Sequence, residues 1–575
     1  MPKSQVDVAI IGGGPVGLTA ANLLGQLGIS CALFERQRTT SFHPRGHVVN
    51  ARVMEILRTL GLEEAVNAAS LPVERHAGIG FVVSLAGEEI GHIRTRGDHG
   101  PDERETAISP VLKRSCPQDM LEPVLLSGAR RFSSVELNFE TEVTAIAQAS
   151  QGVEISWQQP DGAKGVTTAK YLIGADGSRS FTRDAVGIEM TGGSMGQQIG
   201  VYFHADLWKY VEDRPYLLWW IYNSVTTGVL ISLDGLQRWT YNFPYPEGED
   251  RATYTVDRCR EIVLAAIGAP DIPVQIKSVM PWRMQARVAN KLQVGRVFIA
   301  GDAAHPLPPT GGQGMNTGIA DVHNLVWKIS LVLRGVAPES LLESYEGERL
   351  PVATFNVQQS ARNAKKMADA GLSGILALDP EVSSIIDKPE GYEVRQRLAA
   401  AIPAQRAHFD YPGQTFGYAY SSRLVVPDGS PEVPFDVETY TPSARPGQRA
   451  PHAWFSRSGE RVSTIDLFSY DGFTLVCADA GSRWINPFRV ACERLGVKGN
   501  IVAPGHDDLV AEDPEWIELY GIGREGAVLV RPDGHVAWRS ASGGEAAEIQ
   551  AALLSAVGHA DSSFVDHERK CANVH

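Results

Sequence analysis

Three glycine-bearing turns, three acidic side chains and a few arginines are the residues here whose types and spacing could do chemistry. The first turn, GGGPVG at 12–17, follows the mostly β-branched run Val6–Ile11 and precedes the helical pattern LTAANLLGQLG. In such a strand–turn–helix unit Gly12 permits the tight turn, Gly14 admits a pyrophosphate to the backbone, and Gly17 lets the helix close on the strand. The helix, entered through Pro15 and Val16, turns its free N–H groups toward the phosphates. A second strand, SCALFER, ends at Glu35, 23 residues after Gly12, where a carboxylate can accept hydrogen bonds from both ribose hydroxyls. This spacing predicts an adenine dinucleotide site, without separating NAD from FAD.

The other two turns point to FAD. KYLIGADGSRSFTR, at 170–183, is an apolar strand ending in Ala175-Asp176-Gly177, with Arg179 and Arg183 beyond it. GRVFIAGDAAHPLPPTGGQGMNTGIADVHNLVWK, from Gly295 to Lys328, sets a strand before Asp302, then a Pro/Gly loop, then a helix from about Asn316. Asp302 falls at the carboxyl end of its strand, where α/β folds bind ligands, and could hold the ribityl chain of a flavin. Gly311, Gly312, Gly314 and Gly318 keep side chains away from a flat ring. Backbone donors around Met315 and Asn316, at the positive end of the helix, would stabilise negative charge on that ring.

The elements that must position these groups are those of a soluble α/β protein. At 575 residues the chain predicts roughly two to four domains. Its charge of −14 opposes nucleic acid and anionic membrane as partners. The six cysteines lack CxxC or zinc-ligand spacing, so neither a disulfide framework nor a metal site is expected, and a reducing cytoplasm is. Val6–Phe34 reads as a buried strand and helix broken by glycines rather than a membrane span. Strand-rich sequence follows Arg183, and in YLLWWIYN the side chains of Trp220 and Tyr222 alternate onto one face. Helical spacing covers Asp321–Gly335 and a second helix predicted to end near Pro351. A proline- and glycine-rich stretch precedes a last block with strands FTLVCAD and GAVLVRPDGHVAWR, the latter broken by a Pro-Asp-Gly turn. The residues after Ser562 read as a polar end.

With GxGxxG and Glu35, the ADG motif, and GD followed by PPTGGQGMNTG, the chain resembles the class A flavoprotein aromatic hydroxylases over nearly its whole length. RGHVVNARVMEILRTLGL (45–62) and HADLWKYVEDRP are similar to the 2,4-dichlorophenol 6-monooxygenase and phenol 2-monooxygenase branch. The resemblance implies a Rossmann-like FAD-binding domain in two parts, 1–185 and 291–423, with an inserted, mainly β substrate domain at 186–290. A linker at 424–451 and a thioredoxin-like domain lacking CxxC at 452–575 would follow. It implies that Gly12, Gly14, Pro15, Val16, Gly17, Glu35 and Arg36 bind the ADP half of FAD, with Arg45 and Gln118 contacting the cofactor. Asp176 and Asp302 would bridge to the flavin half, and Pro309, Gly312, Gly314, Met315 and Asn316 would lie along the isoalloxazine.

The implied reaction takes hydride from NADH or NADPH, a transient co-substrate, activates dioxygen as a flavin hydroperoxide, and hydroxylates a small phenolic or hydroxylated heteroaromatic substrate. Trp220 and Tyr222 are candidates for the substrate pocket and, equally, for the core. His47 stands where yeast-type phenol hydroxylases carry an acid. It is the candidate base, since an unperturbed imidazole accepts a proton near pH ~6.5; an equal alternative is that it only hydrogen-bonds the cofactor or backbone. Pro309 joins it at the reacting end. A homo-oligomer, dimer or higher, is expected. The alternatives are a flavin-dependent halogenase or oxidase on this scaffold, against which the absence of a WxWxIP signature counts, and a non-catalytic flavin-binding regulator.

Overall fold

The apolar runs form a parallel sheet with strand Gln5–Ile11 at its centre, paired with Cys31–Phe34 on one side and Lys164–Gly174 on the other. Val135–Asn138 and Val297–Ile299 extend it outward. This is a computed structural model describing residues 2–96, 103–373 and 380–559; the expected polar end after Ser562, with Cys571, lies outside these residues. Side chains alternate as the pleat requires. Val8 and Ile10 face the core shared with helices Pro15–Gln26 and Gly314–Leu333, while Ala9 and Ile11 face Trp157 on the opposite side. That side is covered by strands Glu142–Ala149 and Gly152–Gln158, which continue antiparallel from the first half of Lys164–Gly174.

A second, seven-stranded sheet runs in the order Gln275–Ala289, Met190–His204, Arg238–Tyr245, Thr227–Ser232, Tyr216–Tyr222, Gly78–Val82 and Glu89–Arg94. It therefore takes two strands from well before residue 186. One face packs on helix Val256–Ile267 through Trp219 and Trp239; the other carries Trp220 and Tyr222 toward Met367, Leu372 and Phe409.

Helix Ser344–Asp369 runs straight through Pro351, against the expected stop there. A proline costs one helical hydrogen bond and crowds the carbonyl four residues back. The helix survives because Glu348 and Arg349, just before the proline, are held in buried ion pairs, and Ala353, just after it, is core.

The C-terminal sheet has the order Lys498–Val502, Gly472–Cys477, Ala527–Val530, Val536–Ser540, parallel in the first pair and antiparallel in the others. Helix Ile485–Leu495 makes the parallel crossover and Ala546–Ala556 closes the unit, a thioredoxin-like arrangement. Cys477 and Cys492 are buried free thiols, and burial raises both above the ordinary thiol range, to about 11 and about 12. The stretch 424–451 is more than a tether: Leu424 is core, and Arg449 is buried against Glu55 of helix Ala51–Thr59.

Candidate active site

The three glycine-bearing turns converge at the carboxyl ends of the parallel strands, where they border one cleft, and steric closeness joins them. A Cβ on Gly12, whose φ is +108°, would lie 2.3 Å from the Ala175 carbonyl oxygen. One on Gly318 would lie 2.6 Å from Val16 and 2.7 Å from Gly301, so glycine there lets the two helix N-termini converge. Gly14 is the opposite case: nothing lies within 4 Å of its would-be Cβ. That open space beside the first turn of Pro15–Gln26, a turn without a side-chain cap, fits a pyrophosphate. Glu35 stands next to it, with one carboxylate oxygen accepting the Gly13 N–H (2.7 Å) and the other the Gln37 N–H (2.8 Å).

Further along the cleft, Asp302 makes no hydrogen bond among the described residues. Burial raises its carboxyl above the usual range, against the pull of His305 and Arg45. The residue is nonetheless exposed, so its carboxylate is open to accept from a ribityl hydroxyl. A Cβ on Gly314 would sit 3.8 Å from that carboxylate, at the start of helix Gly314–Leu333. This helix also lacks a side-chain cap, so its first N–H groups are free to meet an electronegative ring edge. The expected helix start near Asn316 thus lies two residues earlier.

Below this helix, buried His305 binds Asp321 through Nε2 (2.6 Å), and Asp321 binds Arg349 (2.8 Å). His305 is thereby committed to bracing the loop. Gln118 opens helix Gln118–Ala129 and donates to Glu122 (2.6 Å), whose other oxygen accepts the Ser41 N–H (2.6 Å); Arg45 is exposed on the loop between them. Arg36 is exposed past the end of Cys31–Phe34.

Three predicted residues have their side chains engaged elsewhere. Asp176 accepts from Ser180 Oγ (2.5 Å) and from the Thr182 N–H (2.9 Å), so its carboxylate orders the turn before helix Phe181–Ala185. Asn316 donates to the carbonyls of Gly312 (2.7 Å) and Val48 (2.9 Å) and accepts the Asn50 N–H (2.9 Å). Only its backbone is left for a ring. Tyr222 is fully buried with its hydroxyl donated to the Leu372 carbonyl (3.0 Å), which makes it a core residue rather than a pocket one. Trp220 shares that face, stacks over Phe81 and meets His408 edge-on at 6.1 Å.

The ring end is closed by segments distant in sequence. The Pro309 carbonyl accepts the Gly312 N–H (2.9 Å), and the proline ring itself is exposed in the cleft. Gly311 and Gly312 have φ of +92° and +62°, and Val48 presses on Gly312 at 2.9 Å from its would-be Cβ. His47, one residue earlier, bonds Ser115 Oγ through Nδ1 (3.1 Å). Burial, and then the charge of Lys113, push its pKa down to about 4, so the ring is neutral near pH 7 and far from the unperturbed imidazole expected.

Sequence reading missed Lys113, His76, Arg96 and His408. The one signal was the charged pair Lys113-Arg114 inside the otherwise uncharged run PVLKRSC, five residues before Gln118. Among the described residues no group of three or more His, Cys, Asp or Glu could hold a metal, and no helix is long and apolar enough to cross a membrane.

Fold and cleft together define a flavoprotein that lays a dinucleotide across a Rossmann-type sheet beneath a second, β-rich layer. The chain belongs to the FAD-dependent aromatic-ring hydroxylases: residues 5–360 match the family described as FAD binding domain, and 443–560 match the aromatic-ring hydroxylase C-terminal family. It is 35% identical to a 2,4-dichlorophenol 6-monooxygenase of Delftia acidovorans, over 96% of this chain and 97% of that protein. It is also 35% identical to a tetracenomycin B2 monooxygenase-dioxygenase of Streptomyces olivaceus, over 94% and 96% of the two chains. Among solved structures, the flavin-dependent monooxygenase PieE in complex with FAD and substrate superposes with a TM-score of 0.89 at 33% identity, covering 97% of this chain and all of that one. The chain is thus a flavoprotein monooxygenase of aromatic rings.

Proposed function

We propose that the protein hydroxylates a phenolic or hydroxylated heteroaromatic ring, with NADH or NADPH as a transient co-substrate. The observation that carries this reading is the ring end of the cleft. There the uncapped helix Gly314–Leu333 and the Gly311–Gly312 turn lie beside His408, whose ring packs on Phe409 and meets Trp220 edge-on. When bound, FAD supplies the acceptor for hydride and the means to pass one oxygen atom of dioxygen to the ring, the other leaving as water.

The chain's own residues do the rest. Gly12, Gly14, Gly17 and the first turn of Pro15–Gln26 seat the pyrophosphate, and Glu35 seats the ribose. Asp302 accepts from the ribityl chain. The free N–H groups of Gly314, Met315 and Asn316 stabilise negative charge on the ring system without reorganising during reaction. Pro309 and Gly312 hold the loop against Val48, and Trp220, His408 and Phe409 form an apolar wall that keeps water from the substrate ring. His47 stays neutral and offers the substrate oxygen a hydrogen bond. Arg287, whose backbone N–H donates to the Pro306 carbonyl (3.0 Å) and whose Nε has no partner, is placed beside the loop for the nicotinamide nucleotide.

The test is oxidation of NADH and of NADPH by the FAD-loaded protein over a panel of phenols and hydroxypyridines in isotopically labelled dioxygen, with products weighed by mass spectrometry. One labelled oxygen gained per ring, with substrate-stimulated nucleotide oxidation, is expected. Halogenated product, or FAD binding with no turnover on any ring, would overturn the reading.

A further inference from the structure

A surplus of buried and half-buried positive charge sits beside the ring end of the cleft. In the antiparallel ribbon of Val48–Val49 with Arg114–Ser115, His47 precedes one strand and Lys113 the other, at opposite ends of the short ribbon, and the Lys113 charge still acts on the His47 ring. The Lys113 ammonium donates to the Phe409 carbonyl (3.1 Å) and lies 5.5 Å over the Tyr411 ring. Among the described residues no carboxylate comes within 4 Å of it.

The charged groups around it are Arg96, Glu105, Asp410, His47, His76 and Arg114. The two carboxylates are engaged with other cations, Glu105 with Arg96 (3.2 Å) and Asp410 with Arg406 (2.6 Å). Arg96 is buried, donates to the Lys113 carbonyl (2.5 Å), and has one Nη with no hydrogen bond. His76 is buried and held neutral by that burial, then by Arg96 and Lys113. Burial first and Arg96 second lower the Lys113 pKa, and an anion arriving beside the ammonium would act in the opposite direction and favour it.

The place is contiguous with the ring site. Phe409 stacks on His408 at 4.2 Å between ring centroids. The His408 carbonyl lies 3.8 Å from the would-be Cβ of Gly311.

The geometry points to Lys113 as the residue that selects and orients the substrate, holding an ionised phenolic oxygen against its ammonium. This rests on the hydroxylase reading above. The phenolic proton goes to bulk buffer when the substrate binds as its anion, so no side chain need retain it. With Ser115 Oγ–H donating to Nδ1, neutral His47 directs Nε2–H at the same oxygen. A phenolate is also the electron-rich form that an electrophilic oxygen attacks. The site therefore favours rings bearing an acidic hydroxyl over their ethers.

The test uses the oxidised FAD-loaded protein without reductant, titrated with 4-nitrophenol, whose phenolate absorbs in the visible, and with 4-nitroanisole, its methyl ether. In the wild type the bound phenol is expected to ionise at least one pH unit below its value in water, and the ether to bind at least tenfold more weakly. Lys113→Met should abolish the downward shift while FAD absorbance stays intact, and Lys113→Arg should keep it. A wild-type shift that is absent or upward overturns the assignment without any variant. An equal shift in folded Lys113→Met overturns it too, and in either case the hydroxylase reading stands if labelled product is still formed. Failure of the wild type to bind or oxidise any phenol overturns both.

Discussion

Two clusters of charge, built from the same residue types, are buried on either side of the cleft, and they differ in balance. Behind helix Gly314–Leu333, Arg531 binds Glu348 (2.6 Å) and Asp533 (2.5 Å), while Lys328 binds Glu348 (2.7 Å). Two cations meet two carboxylates, and the Pro-Asp-Gly turn of the thioredoxin-like unit is thereby plugged into the FAD-binding core. Asn324 and the Trp327 indole, both of that helix, also donate to Asp533 (3.3 Å each). Beside the ring loop, Arg96 and Lys113 lie near Glu105 and Asp410, but Glu105 is paired with Arg96 and Asp410 with Arg406, which leaves Lys113 without a carboxylate within 4 Å among the described residues. Desolvation opposes both clusters. In the closed one mutual attraction offsets it and fixes the geometry of two units; in the open one the uncompensated charge is a standing affinity for an anion, held at a cost in stability.

Breaking the closed cluster should have the largest effect. Glu348→Gln strands buried Lys328 and leaves Arg531 with Asp533 alone, and is expected to cost about 3–5 kcal/mol, seen as a lower midpoint in chemical denaturation of the FAD-loaded protein. An unchanged midpoint would erase the contrast between the clusters.

Acid should separate them next. His47 stays neutral in the folded protein down to about pH 4, whereas in the unfolded chain it protonates near pH ~6.5. Between these values the unfolded state binds more protons, so stability is full above about pH 6.5 and falls as pH drops toward 4, by roughly 1.4 kcal/mol per unit for each such histidine. Asp533, held down at about 2 by Arg531 and His535, keeps its contribution until far lower pH. Denaturation midpoints measured from pH 7 to 4.5 should decline, and His47→Asn should flatten the decline; parallel curves would show that His47 is not part of it.

Lys113→Met should act with the opposite sign to Glu348→Gln, leaving stability unchanged or raising it by up to about 2 kcal/mol, since it removes a charge that has no carboxylate partner. A loss as large as that of Glu348→Gln would mean the open cluster is closed in solution. The smallest effect is expected at Tyr222→Phe, a loss of about 1 kcal/mol for the hydrogen bond to Leu372. A tenfold loss of phenol affinity in this variant would return Tyr222 to the ring site.

The ADP end of the cleft was legible in the sequence because one contiguous strand–turn–helix builds it. Gly12, Gly14 and Gly17 lie within six residues, and Glu35 ends the next strand. The ring end was legible only in its loop. Trp220 and Tyr222 alternate as a strand must, yet that spacing says nothing of what covers their face. The cover is Leu372 and His408, from segments about 150 residues or more downstream. Pro351 misled for a related reason: proline's local cost is real, and the buried ion pairs of Glu348 and Arg349 in the preceding turn outweigh it.

What the sequence determined by itself was the cofactor class and the order of elements, because dinucleotide binding depends on backbone geometry that short glycine spacings dictate. Only the tertiary structure decided which side chains are free to act. It committed Asp176, Asn316 and His305 to bracing the cleft, lowered the His47 pKa, and left Lys113 half-buried beside the ring loop without a carboxylate partner among the described residues. Burial and pairing are set by residues far apart in the chain, and electrostatic energy depends on distance and solvent exclusion rather than on order in sequence.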